Sequence, residues 1–196
     1  MTKNSPVKVI EKENIAPNIT FLRITKPLDF IFSPGQFARL GIGTKDERKD
    51  RLTWRAQSIA NGTTDDYLEF FIIIEKDAPF SNRINLATNG SQLFVDERSY
   101  GFFTIERFVL EGDLWLLATG TGIAPFLSII SDVTIWSKFK NINLLHSVRD
   151  KTQIIYTKKL LSIFKKASLK NYLSNFNYVP FTTRDSRLVE GLLGGK

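Results

Sequence analysis

A glycine-rich turn at residues 119–125 (TGTGIAP) is the segment with the clearest capacity to bind a ligand. Gly120 and Gly122 allow the backbone to approach a ligand closely, and the free N–H groups at the start of a helix attract phosphate. Pro125 stands where its missing N–H costs nothing. The turn joins an apolar strand pattern to a helical pattern, which favours a nucleotide-binding turn over an ordinary loop.

A second candidate lies in the strand pattern at residues 54–61 (WRAQSIAN). Arg55 offers a guanidinium that binds phosphate through two parallel hydrogen bonds, and Ser58 offers a hydroxyl that donates or accepts. Taken alone, this segment is more typical of an amphipathic strand with a solvated arginine.

Composition excludes several other kinds of site. The absence of cysteine removes disulfides, thiolate metal sites and a cysteine nucleophile, and one histidine cannot form a multi-histidine metal site. His146 lies in a predicted strand without metal-ligand spacing around it, so we expect a hydrogen-bonded structural residue. The turn at residues 119–122 lacks the serine of a nucleophile elbow, and no Ser/His/Asp pattern stands out.

The charge balance is basic, with 27 Lys and Arg against 20 Asp and Glu and a net charge of +7. This charge permits attraction to nucleic acid, anionic lipid or an acidic protein, but the abundance of Lys alongside Ile and Asn favours general compositional drift as its explanation. Nucleic-acid binding ranks last because no helix-turn-helix or RNA-recognition signature accompanies the charge. The N-terminus does not resemble a signal peptide and the apolar runs are too short to cross a bilayer, which predicts a cytoplasmic protein without membrane contact.

The first half of the chain carries short segments of alternating hydrophobicity. They lie at residues 19–24, 37–42, 54–60, 68–75 and 93–95, with turn clusters between them. The only helical stretch among them is near residues 81–87. This spacing predicts a small antiparallel β-barrel over residues 1–105.

The second half, residues 106–196, has a different pattern. Residues 114–118 are continuously apolar, as expected of a strand buried on both faces, and residues 142–148 and 178–183 are two further predicted strands. Helical spacing between the strands predicts two helices, with apolar faces formed by Phe126, Ile129, Ile130 and Val133 and by Tyr156, Leu160, Ile163, Phe164 and Ala167. The lysines at positions 158, 159, 165 and 166 would form a solvated face. Strand and helix alternate as in the first half of a doubly wound parallel α/β sheet.

The predicted sheet is incomplete. In the common strand order 3-2-1-4, the first strand has a fourth strand at its side, and too few residues follow residue 183 to form another unit of strand, helix and strand. We therefore expect either an incomplete sheet or a sheet that another polypeptide completes.

Taken together, the segments resemble the ferredoxin/flavodoxin–NADP reductase family in its bacterial subclass, with a C-terminal truncation. The matching blocks appear in order at suitable separations. They are residues 34–37 (PGQF), Arg55 with Ser58, 101–103 (GFF), 116–125 (LLATGTGIAP), 146–149 (HSVR) and 183–185 (TRD). The resemblance implies an FAD-binding barrel, an NADP-binding domain that lacks its last strands, and ferredoxin or flavodoxin as partner of a monomer.

The resemblance also implies residue roles. Arg55 would bind the flavin pyrophosphate, Ser58 would be the catalytic hydrogen-bond partner near the reactive edge of the flavin, and Ser81 would open the helix that meets the FAD phosphates. Arg149 and Arg184 would receive the 2′-phosphate of NADP, for which a planar cationic fork suits better than lysine. The complete set of implied cofactor-binding residues is Arg55, Ser58, Ile59, Phe71, Ile72, Ile73, Ser81, Thr119, Gly120, Thr121, Gly122, Arg149 and Arg184.

Three departures from the family pattern favour a second hypothesis. Gln57 replaces the aromatic that stacks on the flavin, the loop at residues 77–79 lacks the family's glycine, and the last strands with the aromatic C-terminal tail have no counterpart. The chain would then be a catalytically impaired flavin-binding module or one half of a split reductase. The first hypothesis remains an oxidoreductase that exchanges a hydride between NADP(H) and FAD and single electrons with ferredoxin or flavodoxin.

Overall fold

The architecture was obtained as a computed structural model. The structure describes residues 3–43, 52–107, 111–149, 154, 156–166 and 168–184. Among these residues, no helix is long and apolar enough to cross a membrane. Two of the sequence-based predictions, for Ala167 and for the end of the block at residues 183–185, fall outside the described residues.

The first half forms a six-stranded antiparallel sheet in the order β4-β3-β6-β1-β2-β5. Its strands are β1 (Asn4–Ala16), β2 (Ile19–Thr25), β3 (Phe37–Ile42), β4 (Thr53–Ser58), β5 (Tyr67–Ile73) and β6 (Gln92–Asp96), and helix α1 (Pro79–Leu86) lies between β5 and β6. Just after β4, the N–H of Ala60 donates to the carbonyl of Glu69 in β5 at 2.9 Å. This bond brings the two edges of the sheet together, and the predicted barrel is confirmed.

Alternation along the strands builds the barrel core. In β5, for example, Leu68, Phe70 and Ile72 point into a cluster with residues of every other barrel strand except β4, whereas Phe71 points outward into a second cluster. The outward residues Ile19, Phe21, Ala60 and Phe71 pack against the second half of the chain. The period of two therefore gives the barrel both a core and a docking face for the second half.

The second half forms a three-stranded parallel sheet in the order β7-β8-β9. Its elements are β7 (Asp113–Thr119), α2 (Ala124–Ile130), β8 (Asn141–Val148), α3 (Thr157–Phe164) and β9 (Phe176–Thr182). Strand and helix alternate and neighbouring strands follow each other along the chain, which confirms the predicted first part of a doubly wound sheet.

Strand β7 is buried on one face only, so the expectation of burial on both faces is wrong. Leu114, Leu116 and Ala118 lie in the core, whereas Trp115 is 59% exposed and Leu117 is 71% exposed. The physical reason is that α2 and α3 pack on the first face, while the described residues leave the second face open. Among the described strands, β8 alone pairs with β7.

Helix α2 is shorter than its apolar spacing predicts. It ends at Ile130, and Val133 lies in a separate 3-10 helix where it is half exposed. Asp132 interrupts the helix because its backbone is extended and its carboxylate accepts a hydrogen bond from the N–H of Thr134 at 2.9 Å. The predicted apolar face of α2 is therefore wrong at Val133.

The lysines around α3 do not form a uniformly solvated face, contrary to expectation. The ammonium of Lys159 contacts the carboxylate of Glu69, and that of Lys166 contacts Asp65 at 2.7 Å. Both carboxylates belong to the barrel half. A helical pattern shows which side chains point away from the hydrophobic core. It does not show which of them contact a carboxylate that is distant in the sequence.

Candidate functional site

Two cavities lie side by side in the crevice between the barrel and the parallel sheet. The first, of about 240 Å³, is lined mainly by barrel residues, and the second, of about 390 Å³, mainly by residues at the carboxyl ends of the sheet strands. Ile73 and Thr121 line both cavities. The two cavities therefore share a wall, and ligands bound in them would be adjacent to each other.

The barrel-side cavity takes its polar groups from β4 and from the segment that follows β5. Its lining residues are Arg55, Gln57, Phe71, Ile73, Glu75, Ala78, Phe80, Ser81 and Thr121. Arg55 and Gln57 reach it together because residues two apart in a strand share a face. The guanidinium of Arg55 is exposed, and its Nη1 donates to the carbonyl of Trp54 at 3.1 Å.

Helix α1 begins at the edge of this cavity. Pro79 stands in its first turn, and no side chain caps the N–H groups there. Such groups have no partner within the helix and carry the positive end of its dipole. Ser81 is buried in the same turn, and its Oγ accepts a hydrogen bond from the N–H of Glu75 at 3.0 Å. This bond closes the loop in which Asp77 adopts a φ of +61°.

The sheet-side cavity lies at the carboxyl ends of all three parallel strands, where ligands bind in open α/β sheets. Its lining residues are Asn18, Ile19, Ile73, Thr119, Gly120, Thr121, Ser147, Val148, Arg149 and Thr183. Residues 120–123 form a 3-10 turn that precedes α2, and Gly120 has a φ of +50°. Gly120 has no side chain, so its backbone lines the cavity directly.

Two arginines lie at the ends of adjacent strands on this side. Arg149 follows β8 and lines the cavity, and Arg184 follows β9. The N–H of Arg184 donates to the carbonyl of Arg149 at 3.0 Å, so their backbones are in register. Both arginines are exposed, which gives this end of the sheet a cationic surface.

A buried histidine lies directly behind the glycine turn. His146 is completely buried in β8, with its Nε2 2.8 Å from the carbonyl oxygen of Gly120 and its Nδ1 3.0 Å from the hydroxyl of Tyr178. Burial lowers the pKa of His146, although its hydrogen bond to Gly120 opposes this shift. Burial raises the pKa of Tyr178 and of Tyr156, which packs edge-on against the imidazole.

Charged and polar contacts hold the two halves together. Glu69 of β5 is completely buried between Arg23, at 2.7 Å, and Lys159 of α3. The hydroxyl of Ser128 in α2 donates to the barrel carbonyl of Asn61 at 2.8 Å. These contacts hold α2 and α3 against the barrel and thereby set the width of the crevice.

Most of the residues expected at the site line one of the two cavities. The residues in this group are Arg55, Phe71, Ile73, Ser81, Thr119, Gly120, Thr121 and Arg149. Ser58, Gly122 and Arg184 do not line either cavity. Ile72 points into the barrel core, as does Ile59, whose N–H donates to the carbonyl of Gln36 at 3.1 Å.

The sequence did not show that the β1–β2 turn and Ser147 contribute to the sheet-side cavity. Asn18 and Ile19 line the sheet-side cavity, yet their segment carries no ligand-binding pattern. Ser147 could have been found from its place beside His146 at the end of a predicted strand. The described residues contain no cluster of three His, Cys, Asp or Glu side chains that could hold a metal ion.

Comparison with known proteins gives matches to both halves of the chain. A family model described as an oxidoreductase NAD-binding domain matches residues 116–192. A flavodoxin/ferredoxin–NADP reductase of Rhodobacter capsulatus is 31% identical over 181 residues, which cover 89% of this chain and 66% of the relative. A ferredoxin–NADP reductase of Azotobacter vinelandii is 29% identical over 172 residues, which cover 84% and 65%.

The crystal structure of a ferredoxin NADP+ reductase from Neisseria gonorrhoeae with bound FAD and NADP has the same fold. It superimposes with a TM-score of 0.84 at 32% identity, and the match covers all of this chain and 74% of that one. The chain spans about two thirds or less of the length of the curated relatives that it matches, from 54% to 66% for the first three.

Proposed function

This chain belongs to the ferredoxin/flavodoxin–NADP reductase family, and on that premise we propose that it is an FAD-dependent oxidoreductase. It exchanges a hydride between NADP(H) and FAD and passes single electrons to or from ferredoxin or flavodoxin. The observation that supports this proposal most directly is the wall that the two cavities share at Ile73 and Thr121. A flavin in the first cavity and a nicotinamide in the second would be in contact there.

The barrel-side cavity has the groups that FAD requires. Arg55 supplies a cationic fork and the first turn of α1 supplies uncapped N–H groups, which together suit a pyrophosphate. Phe71 and Ile73 supply an apolar surface for a ring system. Ser58, at the end of β4, is the residue proposed to hydrogen-bond near the reactive edge of the flavin.

The sheet-side cavity suits a pyridine nucleotide. The glycine turn exposes its backbone to the cavity, and Arg149 and Arg184 form a cationic surface for a 2′-phosphate. A bound flavin supplies the hydride and one-electron chemistry that protein side chains lack. The protein's contribution would be to hold the two rings together at the shared wall.

The two hydrophobic clusters support a domain boundary between Val95 and Ile105, just before the division that we propose between residues 105 and 106. The barrel cluster contains only residues between Val7 and Val95, and the second cluster is formed mainly by residues from Ile105 onward. We assign FAD binding to residues 1–105 and nucleotide binding to residues 106–196. The net charge of +7 favours approach of an acidic electron carrier.

The test is titration of the purified chain with FAD, followed by NADPH oxidation with an artificial electron acceptor. We expect flavin absorbance on the protein and turnover that depends on FAD. Arg55→Gln should weaken FAD binding by about tenfold or more, because a hydrogen bond to a charged group contributes about 1.5–3 kcal/mol. Arg98→Gln is the matched control, since Arg98 is exposed and lies outside both cavities. A protein that neither binds added FAD nor oxidises NADPH would refute the proposal.

A second candidate function is flavin binding without turnover. It is favoured by Gln57, which lies in the barrel-side cavity where the family has an aromatic ring, and by the open face of β7. FAD binding without FAD-dependent NADPH oxidation would support this function over the first. Restoration of oxidation by an added polypeptide that pairs with β7 would favour the split-reductase form of this hypothesis.

A further inference from the structure

His146 is completely buried between the glycine turn and the sheet, and both of its ring nitrogens have a specific partner. The carbonyl oxygen of Gly120 can only accept, so the imidazole must carry its proton on Nε2 to make the 2.8 Å contact. Nδ1 then has a lone pair, and the Tyr178 hydroxyl donates to it at 3.0 Å. The two contacts together define one tautomer and one ring orientation.

The surroundings of the ring keep it neutral. Burial lowers the pKa of His146, and burial raises the pKa of Tyr178, so Tyr178 remains a hydroxyl donor. Tyr156 packs against the ring edge-on, with 5.1 Å between centroids. Among the described residues, the titratable side chains that contact the ring are the two tyrosines, Tyr178 and Tyr156.

The contact fixes a peptide plane of the turn. Because a peptide bond is planar and trans, a carbonyl held inward toward His146 directs the N–H of Thr121 the opposite way. Gly120 and Thr121 both line the sheet-side cavity. Gly120 has a φ of +50°, and nothing lies within 4 Å of its Cβ position, so no atoms pack against that side of the residue. Its carbonyl hydrogen bond to His146 restrains the orientation of this peptide.

We propose that His146 is a positioning residue for the pyridine nucleotide: through Gly120 it holds the peptide between Gly120 and Thr121 in the orientation that receives the dinucleotide. Tyr178 acts through His146 by fixing its tautomer. This inference rests on the proposed function, since it assigns the sheet-side cavity to NADP(H). It adds a role for a residue that lines neither cavity.

The test compares His146→Gln with His146→Asn. The amide nitrogen of glutamine lies where Nε2 of histidine lies and can still donate to Gly120, whereas the amide of asparagine is one bond too short. We expect His146→Asn to weaken NADP+ binding about tenfold, as for a lost buried hydrogen bond, and His146→Gln to restore it to within about threefold. Tyr178→Phe should have an intermediate effect, because the tautomer is then no longer fixed.

Three further measurements separate positioning from general damage to the fold. Binding of 2′-phospho-AMP, which lacks the nicotinamide half, should change less than twofold in His146→Asn, and FAD binding should be unchanged. Steady-state kinetics should show the loss mainly in KM for NADPH. Equal losses of NADP+, 2′-phospho-AMP and FAD binding would mean a purely structural role and would overturn the inference.

The remaining outcomes distinguish the two proposals. If the unmodified chain oxidises NADPH and His146→Asn binds NADP+ as tightly as the unmodified chain, the positioning role is refuted and the proposed function stands. If the unmodified chain binds FAD but not NADP+, the proposed oxidoreductase function and the role of His146 are both refuted.

Discussion

The two sides of the crevice are built in different ways. The barrel side presents side chains, with Arg55 and Gln57 projecting from β4 into the cavity. On the sheet side, the turn at residues 119–121 forms a wall with a buried histidine behind it, and Arg149 adds a cationic side chain. A side-chain site changes with each substitution of a lining residue, whereas a backbone site depends on residues that do not touch the ligand.

The two turns that border the crevice show the same contrast. Asp77, before α1, has a φ of +61°, and Gly120, after β7, has a φ of +50°. The left-handed conformation strains a residue with a side chain but not glycine. The carbonyl of Gly120 is held by His146, and the loop of Asp77 is closed by Ser81. The sheet side thus combines an unstrained turn with buried support, whereas the barrel side tolerates strain in an exposed loop.

The largest expected effect is a loss of stability when a charged contact between the two sides of the crevice is removed. Glu69→Gln removes the buried carboxylate between Arg23 and Lys159 and leaves two cations without their common partner. Breaking a buried ion pair by removing one partner costs about 3–5 kcal/mol, so the free energy of unfolding should fall by about 3 kcal/mol or more. Chemical denaturation measures this change.

Glu111→Gln, at an exposed position, is the control and should change stability by less than about 0.5 kcal/mol. Lys159→Met should cost less than Glu69→Gln, because Arg23 then still neutralises the carboxylate. If Glu69→Gln is as stable as the unmodified protein, the charged contacts do not hold the halves together.

A smaller effect is expected from Gln57→Tyr, which restores an aromatic ring to the barrel-side cavity. An aromatic stacking contact contributes about 1 kcal/mol, so FAD should bind about fivefold more tightly. Fluorescence titration with FAD measures the affinity. Gln57→Leu supplies a comparable apolar volume without a π-system, and an equal gain in that variant would show that stacking is not the cause.

A substitution at Gly120 in the sheet-side turn should lower the free energy of unfolding by an amount similar to that change in binding free energy. Gly120→Ala places a Cβ in open space, so its cost comes from backbone strain alone and should be about 1 kcal/mol. NADP+ binding should weaken if the strained turn shifts to a new φ. Gly122→Ala is the control, since its Cβ also meets open space but its φ is not left-handed. Equal destabilisation by both substitutions would contradict the strain argument.

The order of the elements could be predicted from the sequence because each half has its own hydrophobic period. Alternation gave five of the six barrel strands and missed β1, and the continuous apolar residues at 114–118 gave β7. The same apolar run wrongly implied burial of Trp115 and Leu117. Sequence shows which residues are apolar, and burial also depends on whether another element covers them. The end of α2 was missed because Asp132 stops the helix through a local side-chain hydrogen bond.

Candidate site residues could be predicted where they belong to a local sequence motif. They could not be predicted where the site forms from segments that are distant in the sequence. Arg55 and the glycine turn have recognisable chemistry and spacing, and both line the crevice. Asn18 reaches the same crevice from a hairpin that has no motif. The pairing of Glu69 with Lys159, ninety positions apart, follows from how the halves pack and leaves no local signal.

The smallest effect is expected at Asp77, the barrel-side counterpart of Gly120. Asp77→Gly should relieve backbone strain, but glycine also gains more freedom in the unfolded chain, so the net change in stability should be within about 0.5 kcal/mol. Asp77→Ala keeps the left-handed φ at a residue with a side chain, so it should be about 1 kcal/mol less stable than Asp77→Gly. Thermal unfolding of the two variants measures the difference. Equal stability of the alanine and glycine variants would mean that the loop relaxes away from positive φ, and the contrast between the two turns would then be lost.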